Sequence, residues 1–134
     1  MKLVDDIKAK ADQHATWRRD IHAHPELAYE ERRTADFVAE KLESFGIPIV
    51  RGLGKTGVVG TIKAGKSDRS IGLRADMDAL PLQEMNKFDH RSQHDGKMHA
   101  CGHDGHTTML LAAAEYLAEN RNFDGIAHFI FQPA

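Results

Sequence analysis

Met98-His99-Ala100-Cys101-Gly102-His103-Asp104-Gly105-His106 is followed by Thr107 to Leu117, an apolar, alanine-rich run. These nine residues hold three of the nine histidines and the only cysteine. Imidazole, thiolate and carboxylate are the groups that bind transition metals, and here they stand at the mouth of an expected helix over about 106–119. That helix decides the fold. Ser70-Ile71-Gly72-Leu73-Arg74-Ala75 before it and Ile126-Ala127-His128-Phe129-Ile130-Phe131 after it read as strands. A helix long enough to cross over between two strands favours their parallel pairing through a right-handed connection. The expected class is α/β: a mixed sheet with flanking helices.

Outward from this unit, Leu3, Ile7, Ala11, His14, Trp17 and Ile21 recur at helical steps and predict one amphipathic helix over about 3–21. His24-Pro25 ends it, because the residue before proline is pushed out of the helical region. A second helix is expected over about 30–45, with Ala35, Val38, Leu42 and Phe45 on one face. Glu30 and Glu31 suit its positive end, and Gly46 with Pro48 stops it. Gly57 to Ile62 reads as a strand. Ala64-Gly65-Lys66-Ser67-Asp68 then predicts a turn joining it to 70–75 in a hairpin. Gln83 to Lys97 has no period and is expected to be a loop, of a length that is often functional.

Composition narrows the classes. With 41% hydrophobic residues and 28% charged residues, the 134-residue chain is that of an ordinary globular domain. A net charge of -2 carries no nucleic-acid footprint, and the Arg18-Arg19 and Arg32-Arg33 pairs have acidic neighbours. A single cysteine cannot make an internal disulfide, and no run approaches the ~18 apolar residues of a membrane span. The N-terminus has no apolar segment of signal-peptide length, so the expectation is a cytoplasmic protein.

In open α/β sheets functional groups gather beyond the carboxyl ends of the strands. Asp76-Met77-Asp78 follows the 70–75 strand, the Cys/His stretch opens the crossover helix, and Gln132-Pro133-Ala134 follows the last strand. Cys101 and His103 are two apart, which on a helix turns them about 200° from one another. They share an ion only if the backbone is extended or turned there, and Gly102 permits either. His103 and His106, three apart, suit one helix face, although Gly105 weakens regular helix.

Each residue also has a plain reading. Cys101 could be a small buried hydrophobe. His99 could bond its local turn, and His106 and Asp104 could serve the helix N-terminus. Asp76 and Asp78 could form an Asx turn before Pro81. His22 and His24 read as structural or exposed.

Four blocks, in order, resemble a known family. They are Arg18 to Leu27, Gly72 to Pro81, Met98 to His106, and Phe129-Ile130-Phe131-Gln132-Pro133-Ala134. The chain resembles the N-terminal part of an M20-type metallopeptidase/amidohydrolase, in the branch of hippurate hydrolases, N-acyl-amino-acid amidohydrolases and indole-3-acetyl-amino-acid hydrolases. The resemblance implies a metallopeptidase-like catalytic domain with two divalent ions (Mn, Zn, Co or Ni) and Cys101 and His103 as metal ligands. It implies hydrolysis of the amide bond of a small N-acyl amino acid by a metal-activated water. Asp78 matches the aspartate with an orienting role behind the ligands. Many relatives have His-x-Asp where this chain has Asp76-Met77-Asp78, so the resemblance does not make Asp76 a ligand. In the family two glutamates follow Gln-Pro-Ala, one the general base and one a ligand. Two histidine ligands and a lid or dimerisation domain come later.

Residues 1–134 are therefore expected to be a partial catalytic domain without its lid, inactive alone, and a homo-oligomer is possible at full length. The competing class is a short metal-binding or partner-binding α/β module without catalysis.

Overall fold

The computed structural model describes all of residues 1–134. Helices α1 (Lys2–Lys8), α2 (Ala11–Ala23) and α3 (Arg32–Ser44) precede strands β1 (Ile49–Leu53), β2 (Gly57–Ala64) and β3 (Ser70–Asp76). Helix α4 (His103–Glu119) and strand β4 (Gly125–Gln132) complete the order. The four strands form one mixed sheet in the order β1-β2-β4-β3. The β3–α4–β4 unit is parallel as expected, with Ala75 opposite Phe131 and Asp76 opposite Gln132.

The expected hairpin between 57–62 and 70–75 does not form. β4 lies between these strands, antiparallel to β2 and parallel to β3. Burial explains the choice: Phe129 and Phe131 of β4 are fully buried, whereas β3 is exposed over most of its length. The Gly65–Asp68 turn steps over the start of β4 and is tied there. The Asp124 carboxylate accepts Lys66 N–H at 2.7 Å and Ser67 N–H at 2.8 Å. The hairpin partner of β2 is instead β1, a strand not expected from the sequence.

The single helix expected over 3–21 is two. None of the residues of α1 is buried, while α2 buries Trp17, Ile21, His22 and Ala23. With nothing for its apolar stripe to cover, α1 departs at Ala9–Lys10, where Lys10 Nζ reaches Glu119 Oε1 at 2.6 Å.

Helix α3 ends as expected at Gly46, whose φ of 75° is the left-handed conformation glycine takes without strain. Gly46 N–H bonds Glu43 O and Ile47 N–H bonds Leu42 O, at 2.9 and 3.0 Å, which closes a Schellman motif. Glu31 precedes the helix but does not cap it. It is fully buried and accepts Tyr29 N–H and Thr56 Oγ1–H instead. The core joins Trp17, Val38, Leu42, Val58, Leu111, Phe129 and Phe131 across α2, α3, α4 and the sheet. The loop over 83–97 contains no helix or strand, and no helix is long and apolar enough to cross a membrane.

Candidate metal centre

Three backbone devices bring the chemistry together. Met77 N–H bonds Gln132 O at 3.1 Å, so the ends of the two parallel strands stay joined past their last register pair. Leu80 and Met98 exchange both N–H···O bonds, at 2.9 and 3.0 Å, which holds the Cys/His stretch against the segment after β3. Gly102, at φ 93° and ψ 14°, makes the left-handed turn from Cys101 into α4. That helix begins three residues earlier than the sequence indicates, so His103 and His106 both lie on its first turn despite Gly105.

The two imidazoles then stack, with ring centroids 5.4 Å apart. His103 Nδ1–H donates to Asp78 O at 2.8 Å and Asp78 Oδ1 at 2.9 Å. Both partners are acceptors there, so the proton sits on Nδ1 and Nε2 faces outward, 3.4 Å from Asp76 Oδ2. His106 Nδ1 donates to Asp76 Oδ1 at 2.7 Å. One donor atom each from Asp76, His103 and His106 lies within 4.8 Å of the others, the spacing of groups able to share an ion. Burial pushes the Asp76 carboxyl upward in pKa. The His106 hydrogen bond, the neighbouring His103 ring and Arg74 at 3.1 Å outweigh it and hold the carboxyl below its ordinary range.

Cys101 is exposed, which removes the reading of it as a core residue, and it stands outside that group of three. Asp104 does not cap α4. It is 1% exposed and accepts His22 Nδ1–H at 2.9 Å and Arg18 Nε–H at 3.3 Å. His99 bonds no turn: both ring nitrogens are buried without a partner. Burial lowers its pKa to about 4 against the opposing pull of Asp104, leaving a neutral ring. His24 Nδ1 donates to Asp20 O, and His22 is buried, as their structural reading implies. Asp76 and Asp78 accept from the helix imidazoles rather than closing an Asx turn.

Sequence reasoning put Cys101 and His103 first and missed the Asp76–His106 pairing. The signal for it was present in the three-residue spacing of the histidines and in an aspartate at the carboxyl end of the strand.

This is an α/β domain whose candidate metal-holding side chains gather at the carboxyl ends of parallel strands. Residues 72–134 match the sequence model of peptidase family M20/M25/M40. It is 52% identical over 134 residues to the hippurate hydrolase of Campylobacter jejuni, covering 100% of this chain and 35% of that protein. It is 46% identical over 134 residues to the N-acyl-L-amino acid amidohydrolase of Geobacillus stearothermophilus, covering 99% of this chain and 35% of that protein. Among solved structures, a dinuclear metal-binding M20 peptidase of Bacillus subtilis superposes with a TM-score of 0.90 at 42% identity. That match covers 95% of this chain and 36% of the other. The chain thus spans about a third of the length of the relatives it matches.

Proposed function

We propose that this chain supplies the metal-binding wall of an amidohydrolase that cleaves the amide bond of N-acyl amino acids of the hippurate type. The observation that carries the reading is the Asp76–His103–His106 group at the sheet edge, with His103 already oriented by Asp78. Its donors fit a borderline divalent ion such as Mn, Zn, Co or Ni. In this reading Cys101 and His103 are ligands, His103 through Nε2. Asp76 and His106 stand close enough to share in holding a pair of ions. When bound, such ions polarise the amide carbonyl and make a water nucleophilic at neutral pH.

The chain's own residues position. Asp78 keeps the His103 proton on Nδ1, which fixes the ring and leaves the outward nitrogen free to ligate. Arg74 and His106 hold Asp76 ionised at the same edge. The general base and the remaining ligands belong, on this reading, to the further length the relatives have, along with any lid or dimer contact.

The test loads the 134-residue chain with each of the four metals, dialyses it, and follows retained metal and glycine release from hippurate. Metal retained by the wild type and lost in Cys101→Ala is expected, with no glycine release. No retention under any of the four metals sinks the metal reading. Turnover by this chain overturns the assignment of the base to residues outside it. Retention without turnover, even in a polypeptide of the relatives' full length, favours instead a metal-binding module.

A further inference from the structure

We propose that His22 is a positioning residue for this metal centre, one ring that fixes the first turn of α4 with one nitrogen and docks the 83–97 loop with the other. The proposal rests on the metal reading above. It adds a residue from α2 that reaches no candidate ligand itself.

His22 lies in the last turn of α2 and is 6% exposed. Its Nδ1 is 2.9 Å from Asp104 Oδ2, and its Nε2 is 3.0 Å from Glu84 Oε1. Asp104 Oδ2 also takes the Arg18 Nε–H at 3.3 Å, so it is placed as an acceptor. Glu84 Oε1 likewise takes Ser92 N–H at 3.0 Å, and Oε2 takes the Asn86 amide at 3.1 Å. Burial pushes the Glu84 carboxyl up in pKa, but the Ser92 and Asn86 donors and His22 hold it below its ordinary range. Both carboxylates accept, and both ring nitrogens donate.

Each contact fastens something different. Asp104 follows His103 directly, so its anchor sets the backbone from which the His103 ring reaches Asp78. Glu84 is the staple of a loop with no regular structure. Gln93 N–H ties that loop to Ala23 O at 2.9 Å, and Gly96 N–H ties it to Gln83 Oε1 at 2.7 Å. Phe88 and His90 stack on each other at 4.0 Å and sit over His22, each ring 5.8 Å from it. The loop then runs through the Met98–Leu80 bridge into Cys101. One imidazole therefore orders both approaches to the candidate ligands, the helix carrying His103 and the loop leading to Cys101.

The two bonds can be separated. An Asn side chain presents its amide nitrogen where Nδ1 was, and a Gln presents it where Nε2 was. His22→Asn keeps the Asp104 bond and drops the Glu84 bond; His22→Gln does the reverse. Three measurements on the full chain read the result: ring 15N shifts of His103, amide exchange at 84–92, and affinity for cobalt(II).

His22→Gln is expected to lose the single-tautomer signature of His103 and to weaken cobalt binding by roughly 10-fold, the scale of outer contacts to metal ligands, with loop amides still protected. His22→Asn is expected to keep His103 and to bind cobalt within about twofold of wild type, with faster exchange at 84–92. Both variants changing all readouts alike is the signature of simple packing and overturns the proposal, as does an unmoved His103 in His22→Gln.

Should either variant fail to fold, Glu84→Gln retains an acceptor opposite Nε2. It is expected to speed Ser92 amide exchange while leaving His103 unchanged, and the opposite pattern overturns the proposal. If wild type takes up no cobalt, the metal reading fails, while ring shifts and amide exchange still decide the role of His22.

Discussion

The two ends of α4 use the same device for different ends. At its N-terminus Asp104 is held by His22 and Arg18 of α2, at 2.9 and 3.3 Å. At its C-terminal half Glu115 is held by His14 and Gln13 of the same helix and by Lys10 just before it, at 3.1, 3.3 and 3.1 Å. In both places a buried acid of α4 meets an imidazole of α2 and a cation from α2 or the residue before it. The difference lies in what is left over. Around Glu115 every partner is consumed in the helix–helix contact. Beside Asp104, the outward Nε2 of His103, the half-exposed His106 and the exposed Cys101 remain available. A paired acid is therefore no mark of a site by itself. Position at the carboxyl ends of β3 and β4 is what turns one end of the helix toward chemistry.

The largest expected effect separates the ends by metal. His103→Ala and Cys101→Ala are each expected to weaken divalent-metal binding more than the roughly 10–100-fold typical of outer contacts. Glu115→Ala should leave the affinity unchanged. Equilibrium dialysis against zinc or cobalt measures all three. A Glu115 variant that loses metal would show that the ends are not separate.

Stability should rank the ends in the same order. Asp104→Ala strands the buried His22 and is expected to cost about 3 kcal/mol. Glu115→Ala leaves partners nearer to water and should cost about 1–2 kcal/mol. Urea unfolding gives both, and a reversed ranking would break the account of Asp104 as the more deeply committed acid. Gly102→Ala comes next. No atom lies within 4 Å of an added Cβ, so only the left-handed backbone is penalised, by about 1–2 kcal/mol. Thermal unfolding measures that loss.

Sequence made one part of this comparison legible and hid the other. The β3–α4–β4 unit followed from a helix of crossover length between two β-rich runs, and α3 from its periodicity with Gly46. Periodicity identifies a strand but not its neighbour, so the insertion of β4 between β2 and β3 was out of reach. The hairpin reading of Gly65–Asp68 failed because Asp124, far along the chain, claims that turn. Cys101 and His103 stood out as residue types in a tight local pattern. Asp76 and His106 required knowing where β3 ends and α4 begins. His22 meets Asp104 across 82 positions and Glu84 across 62, distances over which spacing carries no information.

The smallest effect is one of acidity, and it tests whether the C-terminal half of α4 is purely structural. Burial pushes the Glu115 carboxyl up in pKa, but His14, Lys10 and Gln13 outweigh it and hold the group below its ordinary value. Folded Glu115 therefore binds its proton less readily than the unfolded residue does. Its contribution to stability is fully present above the unfolded carboxyl pKa, about 4.3. That contribution is lost as the pH falls through the lower folded value. Glu115→Gln abolishes this share alone, so its urea midpoint should fall less steeply than wild type's below about pH 4.3. Glu84 at the other end is depressed for the same kind of reason, so acid sensitivity should persist in Glu115→Gln at reduced slope. Identical slopes would mean that Glu115 is not held ionised by α2, and the likeness between the two ends would fail there first.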